Sequence, residues 1–306
     1  MRAGADARRA LASRALTGSL LGLGDSLDRI ADDVDHEAID VEALRRTAER
    51  AYESGLTALQ DEISHGRFLR EEALRHWQAY VGADQITRFF SEGIGRVRGA
   101  IAAIFWPATA PVAEVRAATT DDLLDVARLQ AAEAARRTAT ALAAEPSMAP
   151  VMAEHADLWL PSPAFDTRVR AGLDEWIDGI AAEIQTEGES KRFIARGASV
   201  GVNVLGTAVM LGTFLHTGGL TGVEVGVAAG TAFLNQKLLS ALFGEAAMVE
   251  LIQHARQRLQ EVLAAAFAAE RARFEEQLPS PGELADLATE LRAAGREIRA
   301  LPAVTA

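Results

Sequence analysis

Between Lys191 and Gly244 the chain reads KRFIARGASVGVNVLGTAVMLGTFLHTGGLTGVEVGVAAGTAFLNQKLLSALFG. Two apolar, glycine-studded segments, 197–215 and 220–234, meet at the polar break His216-Thr217-Gly218-Gly219. Each is too long for an ordinary strand of about 5–6 residues. The Gly218-Gly219 pair supplies the positive φ that a reversal needs. Gly222, Gly226 and Gly230 recur at every fourth position, and Gly197 and Gly201 begin a similar row. On a helix such rows form a smooth stripe that lets two backbones approach closely. Each buried glycine costs roughly 0.8–1 kcal/mol relative to alanine in a helix, so a close contact must compensate. The pattern predicts a helical hairpin. The alternation of Val223, Val225 and Val227 leaves a strand as a second reading of that short stretch.

A helix that spans a bilayer needs about 20 apolar residues. The first segment nearly qualifies, although it contains Ser199, Asn203 and Thr207; the second is shorter and contains Glu224. Lys191 and Lys237 are the only lysines in the chain, and they flank the apolar stretch on both sides. With Arg192 and Arg196 they form a candidate headgroup-binding set, since cations there meet anionic lipid while their stems lie along apolar surface. The candidate membrane-binding residues are Leu205, Val209, Met210, Leu211, Phe214, Leu215, Leu220, Val223, Val225, Val227 and Phe233. A helix pair buried in a soluble bundle, or against a partner protein, produces the same pattern, so those alternatives stay open.

Composition narrows the remaining classes. The chain has 306 residues and a formal net charge of −12. That balance argues against nucleic acid as a partner, which needs clustered cations. There is no cysteine, hence no disulfide framework and no thiolate metal site. The start of the chain has no apolar core of a signal peptide. The expected location is the cytoplasm, peripheral or integral at the inner face of the cell membrane.

Helical spacing runs through most of the chain. Leu11, Leu16, Leu20, Leu23, Leu27 and Ile30 make one face of a first helix, with Gly18, Gly22 and Gly24 expected to weaken its middle. The acidic run Asp32 to Glu37 reads as a solvated turn. A second helix is expected over 41–63 and a third from Arg70 to about Phe105, stopped by Trp106-Pro107. Thr119 or Thr120 is expected to cap a polar, alanine-rich helix over 119–144, with Asp121 and Asp122 complementing its dipole. A short helix over 151–158 and a rigid Leu160-Pro161-Ser162-Pro163 link follow. A helix from Asp166 leads into the glycine-rich hairpin, whose exit continues as helix to about Leu278. Pro281 opens a last helix to Ala300. If the two limbs of the hairpin are continuous, each is on the order of 75 Å long.

The expected fold is therefore all-α: an elongated helical bundle or stalk with a long helical hairpin carrying a glycine-rich apolar tip. Residues 1–110 form an N-terminal neck or bundle region and 111–164 a connector with proline-rich breaks. Residues 165–278 form the hairpin, its tip at about 197–234, and 279–306 a C-terminal helix packing back on the bundle.

Catalytic chemistry is hard to place. A P-loop needs Gly-Lys followed by Ser or Thr, and no Gly-Lys pair occurs; an Asn-Lys-x-Asp motif is missing as well. Gly197-Ala198-Ser199-Val200-Gly201 matches G-x-S-x-G, which has meaning only at a strand-to-helix elbow; within a helical run it reads as a small-residue contact. Glu72/His76 and Glu250/His254 stand at i, i+4 and could share a metal, but di-iron bundles use Glu-x-x-His with further carboxylates. Exposed side-chain pairs are the simpler reading. No catalytic residue, cofactor or metal is expected.

Two stretches carry a resemblance. HGRFLREEALRHWQAYVG, 65–82, followed by Phe89-Phe90, is one; TGGLTGVEVG, 217–226, running on to QKLLSALFG, 236–244, is the other. Both resemble the helical region that follows the GTPase domain in actinobacterial dynamin-like GTPases. The resemblance spans most of the chain, but none of the family's GTP-binding motifs has a counterpart, so no nucleotide-binding residue carries over. It implies a helical neck and stalk, a lipid-facing tip and a role in membrane remodelling. It also implies a piece of a longer protein, or a subunit whose GTPase lies on another chain. The implied partners are membrane lipid, anionic by the flanking cations, and a second copy or a paired dynamin-like chain. A soluble scaffold and a pore-forming, toxin-like helical protein are the competing classes. From the missing P-loop lysine, the purified chain is expected to show no saturable, magnesium-dependent GTP binding in a titration; such binding would contradict this reading.

Overall fold

The computed structural model describes residues 2–64, 112–190 and 245–301. Those residues are helices joined by short connectors, with no strand among them. The helices are α1 (Arg2–Ser64), α2 (Val112–Ala144), α3 (Ala149–Glu154), α4 (Pro163–Ser190), α5 (Glu245–Glu275) and α6 (Pro281–Ala300), with a 3-10 turn at Ala156–Trp159. The expected all-α class is observed. The third expected helix, Arg70–Phe105, and the glycine-rich hairpin tip lie outside the described residues.

α1 is one helix of 63 residues, about 95 Å at 1.5 Å per residue. Two features expected to interrupt it do not. The acidic run is helical, not a turn: Asp32 and Asp35 both accept from Arg292 of α6, at 2.7 and 2.6 Å. Arg299 reaches Asp28 at 2.8 Å and Asp25 at 3.4 Å. Cross-helix arginines relieve the repulsion that would otherwise favour a break. Gly24, expected to weaken the helix, sits where α6 crosses closest. A Cβ on Gly24 would stand 3.2 Å from the Gly295 carbonyl, and one on Gly295 would stand 3.2 Å from the Gly24 carbonyl. Glycine on both sides lets the backbones touch, which offsets its low propensity.

α2 also departs from its expected start. It begins at Val112, so Thr119 and Thr120 do not cap it; they are buried mid-helix at 0 % and 5 % exposure. Both threonines lie on the buried side of α2. Of the alanines of α2, Ala127, Ala131, Ala134, Ala135 and Ala139 are all buried. The expected single helix over 151–158 is instead α3 plus the 3-10 turn, parted at His155. α5 ends at Glu275 and turns through Leu278, where the N–H donates to the Glu275 carbonyl at 3.2 Å. α6 has the expected bounds; the Glu283 carboxylate accepts from the Ser280 N–H at 3.3 Å, and Pro281 stands in the first turn.

The C-terminal half of α1 joins α2, α4 and α5 around one core. Phe267 of α5 meets Tyr52 of α1 edge-on at 6.3 Å and Phe165 of α4 at 6.0 Å, geometries that add to area burial. The Trp176 Nε1–H donates to the Ala255 carbonyl at 2.7 Å, tying α4 to α5. α5 and α6 follow one another along α1, both antiparallel to it. The turn between them is held by Arg45, which donates to the Leu278 and Pro279 carbonyls at 3.1 and 2.9 Å.

At Gly172 α4 packs tightly on α5: a Cβ there would stand 2.5 Å from Val262 Cγ1. Gly172→Leu is expected to destabilise the fold by about 1–3 kcal/mol through overpacking, read as a lowered midpoint in denaturant unfolding.

Candidate functional site

Pairing across the bundle fixes the direction of each helix. α4 runs antiparallel to α5: Ser162 and Glu270 meet at one end, and Glu183 and Arg258, 2.7 Å apart, near the other. α2 runs antiparallel to α4: Arg128 pairs with Asp166, and Arg116 with Asp174 and Asp178 at 3.0 and 2.6 Å. α1 runs antiparallel to α5, with Arg45 at Leu278 and Tyr52 at Phe267. The last residues of α1 and α4 and the first of α2 and α5 therefore point to the same end. Both segments outside the description, 65–111 and 191–244, join the bundle there. Its opposite extreme is an arm of two helices, α6 against the N-terminal half of α1.

At the shared end the surface is polar around a small apolar patch. Glu245, Ala246, Val249, Glu250, Gln253 and His254 line a shallow open depression on α5. The Arg116 guanidinium holds the Asp178 carboxyl below the usual carboxylate range by a direct hydrogen bond. His254 Nδ1 lies 3.9 Å from Glu183 across the helix pair, so its ionic neighbour is on α4. No group of three or more His, Asp or Glu among the described residues is placed to hold a metal. No described helix is long and apolar enough to cross a membrane.

The residues expected to meet lipid, from Leu205 to Phe233, lie outside the described residues. So do the headgroup set Lys191, Arg192, Arg196 and Lys237, and the contact glycines Gly197, Gly201, Gly222, Gly226 and Gly230. Ser199, Glu72 and His76 lie outside them as well.

Sequence reasoning missed a buried polar cluster at the other end of the bundle. Glu270 is 0 % exposed. Its carboxylate accepts from the Ser162 N–H at 2.8 Å, the Ser162 hydroxyl at 2.6 Å and Arg273 at 2.8 Å. Arg273 also donates to the Leu160 and Asp157 carbonyls and the Asp157 carboxylate, each at 3.0 Å. Every charge is paired, so the cluster clamps the Leu160–Pro163 link onto α5 and leaves no group free for chemistry. The available signal was Glu270 and Arg273 at i, i+3 between Phe267 and Phe274 on an otherwise apolar face. No family model, curated protein or solved structure matches this chain.

The Tyr52 hydroxyl is buried beside this cluster and has no hydrogen-bond partner. Burial, with Glu270 adding, pushes its phenol well above the ordinary value of 10.0, against a smaller opposing effect of Arg273. A raised folded pKa means that the unfolded chain loses this proton first. The associated stability is complete below about pH 10 and is lost as pH rises through the folded value. Tyr52→Phe is expected to stay within about 1 kcal/mol of the parent at pH 7, since no hydrogen bond is lost. It should flatten the fall in stability above pH 10, measured by denaturant unfolding across alkaline pH.

Proposed function

We propose that this chain is a non-catalytic helical stalk that presents an apolar, glycine-rich hairpin to a membrane, as the dynamin-like resemblance implies. The observation that carries this reading is the shared point of departure of segments 65–111 and 191–244. The sequence predicts a broad apolar helix in the first, with Trp77, Phe89, Phe90 and Ile94, and the apolar hairpin in the second. Both adjoin the helices of a bundle that has an apolar core of its own. On this reading the apolar residues of those two segments face lipid, as the tip of a stalk. α4 ends at Ser190 and α5 begins at Glu245, on either side of the segment expected to form the hairpin, and Lys191 and Lys237 flank its apolar stretch in the sequence, where cations suit anionic headgroups. On this reading the protein works in the cytoplasm at the inner face of the membrane and supports remodelling by holding a tip at a set distance.

The test uses anionic liposomes. Full burial of each apolar side chain contributes roughly 1.5–3 kcal/mol, and a cation near the surface about 1 kcal/mol. Phe214→Asp combined with Leu220→Asp is expected to weaken co-sedimentation by more than about tenfold, since about 1.4 kcal/mol is already that much. Helix content and melting temperature should hold. A wild type that ignores liposomes, with a double variant that unfolds or aggregates, would replace the stalk by a soluble scaffold with a buried hairpin. Dye release from the same vesicles would point to a pore-former.

A further inference from the structure

The arm of α1 and α6 is assembled unlike the rest of the bundle. Among the described residues, the contiguous apolar core takes in α1 from Val41 to Ile63 and extends past α5 to Leu278. Ala31 of α1 and Ala288 of α6 are buried, yet neither belongs to that core. Of α6, Leu284 in the first turn packs against it. Beyond that turn only Ala288 and Gly295 are buried, and Leu291 and Ile298 are half-buried. Little apolar surface therefore holds a helix of 20 residues, although helices draw most of their stability from such packing.

The opposing stretch of α1 depends on α6 in turn. Asp25, Asp28, Asp32 and Asp35 recur in steps of three and four, and Asp33 and Glu37 add to the negative charge. Like charges at that spacing repel along a helix. Aspartate is also a weak helix former, and Gly18, Gly22 and Gly24 precede the run. Arg29, within the run, donates to Ser26 Oγ and the Asp25 carbonyl. The guanidiniums that meet the four carboxylates come from α6: Arg292 pairs with Asp32 and Asp35, and Arg299 with Asp25 and Asp28. α6 supplies the counter-charge that keeps the acidic run helical, and α1 supplies the surface that α6 needs. The base of α6 is fixed independently. Leu278 is buried in the core, and Arg45 holds the Leu278 and Pro279 carbonyls.

We propose that α6 is a latch on α1. Docked, it keeps α1 continuous through the acidic run. Released about Pro279–Pro281, it frees residues 18–37 of α1 to lose helix, while the core from Val41 onward stays folded. The arm then opens as one unit, at a lower free energy than global unfolding. Exposed ion pairs are individually weak and are screened by salt, so the catch responds to ionic strength. The device lies at the opposite end of the bundle from the proposed lipid contact and does not rest on it.

Hydrogen–deuterium exchange of the full chain, read by peptide mass spectrometry, tests this. Peptides within 284–300 and 20–37 should exchange together, at least about a hundredfold faster than peptides within 251–274 of α5, which open with the core. Raising salt from about 0.05 to about 0.5 M should speed both arm peptides several-fold and leave α5 unchanged. Arg292→Glu sets a further carboxylate against Asp32 and Asp35. It should speed both arm peptides about tenfold, again with α5 unchanged. A single protection shared by the arm and α5 overturns the proposal, because the arm then belongs to the global unit. So does an Arg292→Glu variant that frees 284–300 but leaves 20–37 protected, since α1 would then keep its helix without α6. Arm peptides indifferent to both salt and Arg292→Glu overturn the ionic catch.

Discussion

A helix of 63 residues needs partners along its whole length. Isolated helices are only marginally stable in water, and their stability in proteins comes from packing an apolar face. α1 finds those partners in relay. α5 covers part of its C-terminal half, the chain turns at Leu278-Pro279, and α6 continues along the N-terminal half in the same direction. The position of that turn is therefore critical, and Arg45 holds it from α1 through two carbonyls. The directions of α2 and α4, and the common end at which the apolar segments depart, follow from α1 and α5 being antiparallel.

The two halves of α1 are stabilised by different physics. The C-terminal half sits in a core of aromatic and alanine contacts, where Phe267 links three helices. The N-terminal half has a thin contact of glycine and alanine flanked by ion pairs. Exposed ion pairs contribute only about 0–1 kcal/mol each, so the aspartate–arginine rows define register more than stability. They hold α6 at one height along α1, which brings Gly24 opposite Gly295. The buried Glu270 cluster is a different case. Burying a carboxylate is costly unless it is paired and hydrogen-bonded, and Ser162 and Arg273 meet that requirement. The cluster connects the proline-rich link to α5, so a segment with little regular structure is held in one place.

Much of the helical layout was legible in the chain itself. Pro281 and the apolar spacing of Leu284, Leu287, Leu291 and Ile298 located α6. Of the residues that mark the face of α5 in the sequence, Leu251, Ile252, Leu259, Leu263 and Phe267 are buried and Val262 is half-buried. Two of the misreadings have a common cause. Asp32 to Glu37 and Gly24 carry a local signal for a turn or a weak point, and each is overruled by a contact with α6, far along the chain; Thr119-Thr120 carry a cap signal and are buried inside α2 instead. The buried Glu270 was invisible because its partner Ser162 is likewise distant in sequence. The candidate lipid-facing residues rest on sequence alone, because they lie outside the described residues.

What the sequence by itself determined is the helical class and the segregation of apolar surface. Period-3.6 spacing and abundant alanine leave few alternatives to helix, and the glycine-rich stretch from Lys191 to Gly244 stands apart whatever the fold. What only the tertiary structure decided is direction and continuity: that α1 does not break, that α5 and α6 share it, and that the segments after Ser64 and Ser190 leave from one end. Periodicity records which side of a helix is apolar. It carries no information on which distant helix meets that side, because the choice is made by shape and charge complementarity between segments that become neighbours only on folding.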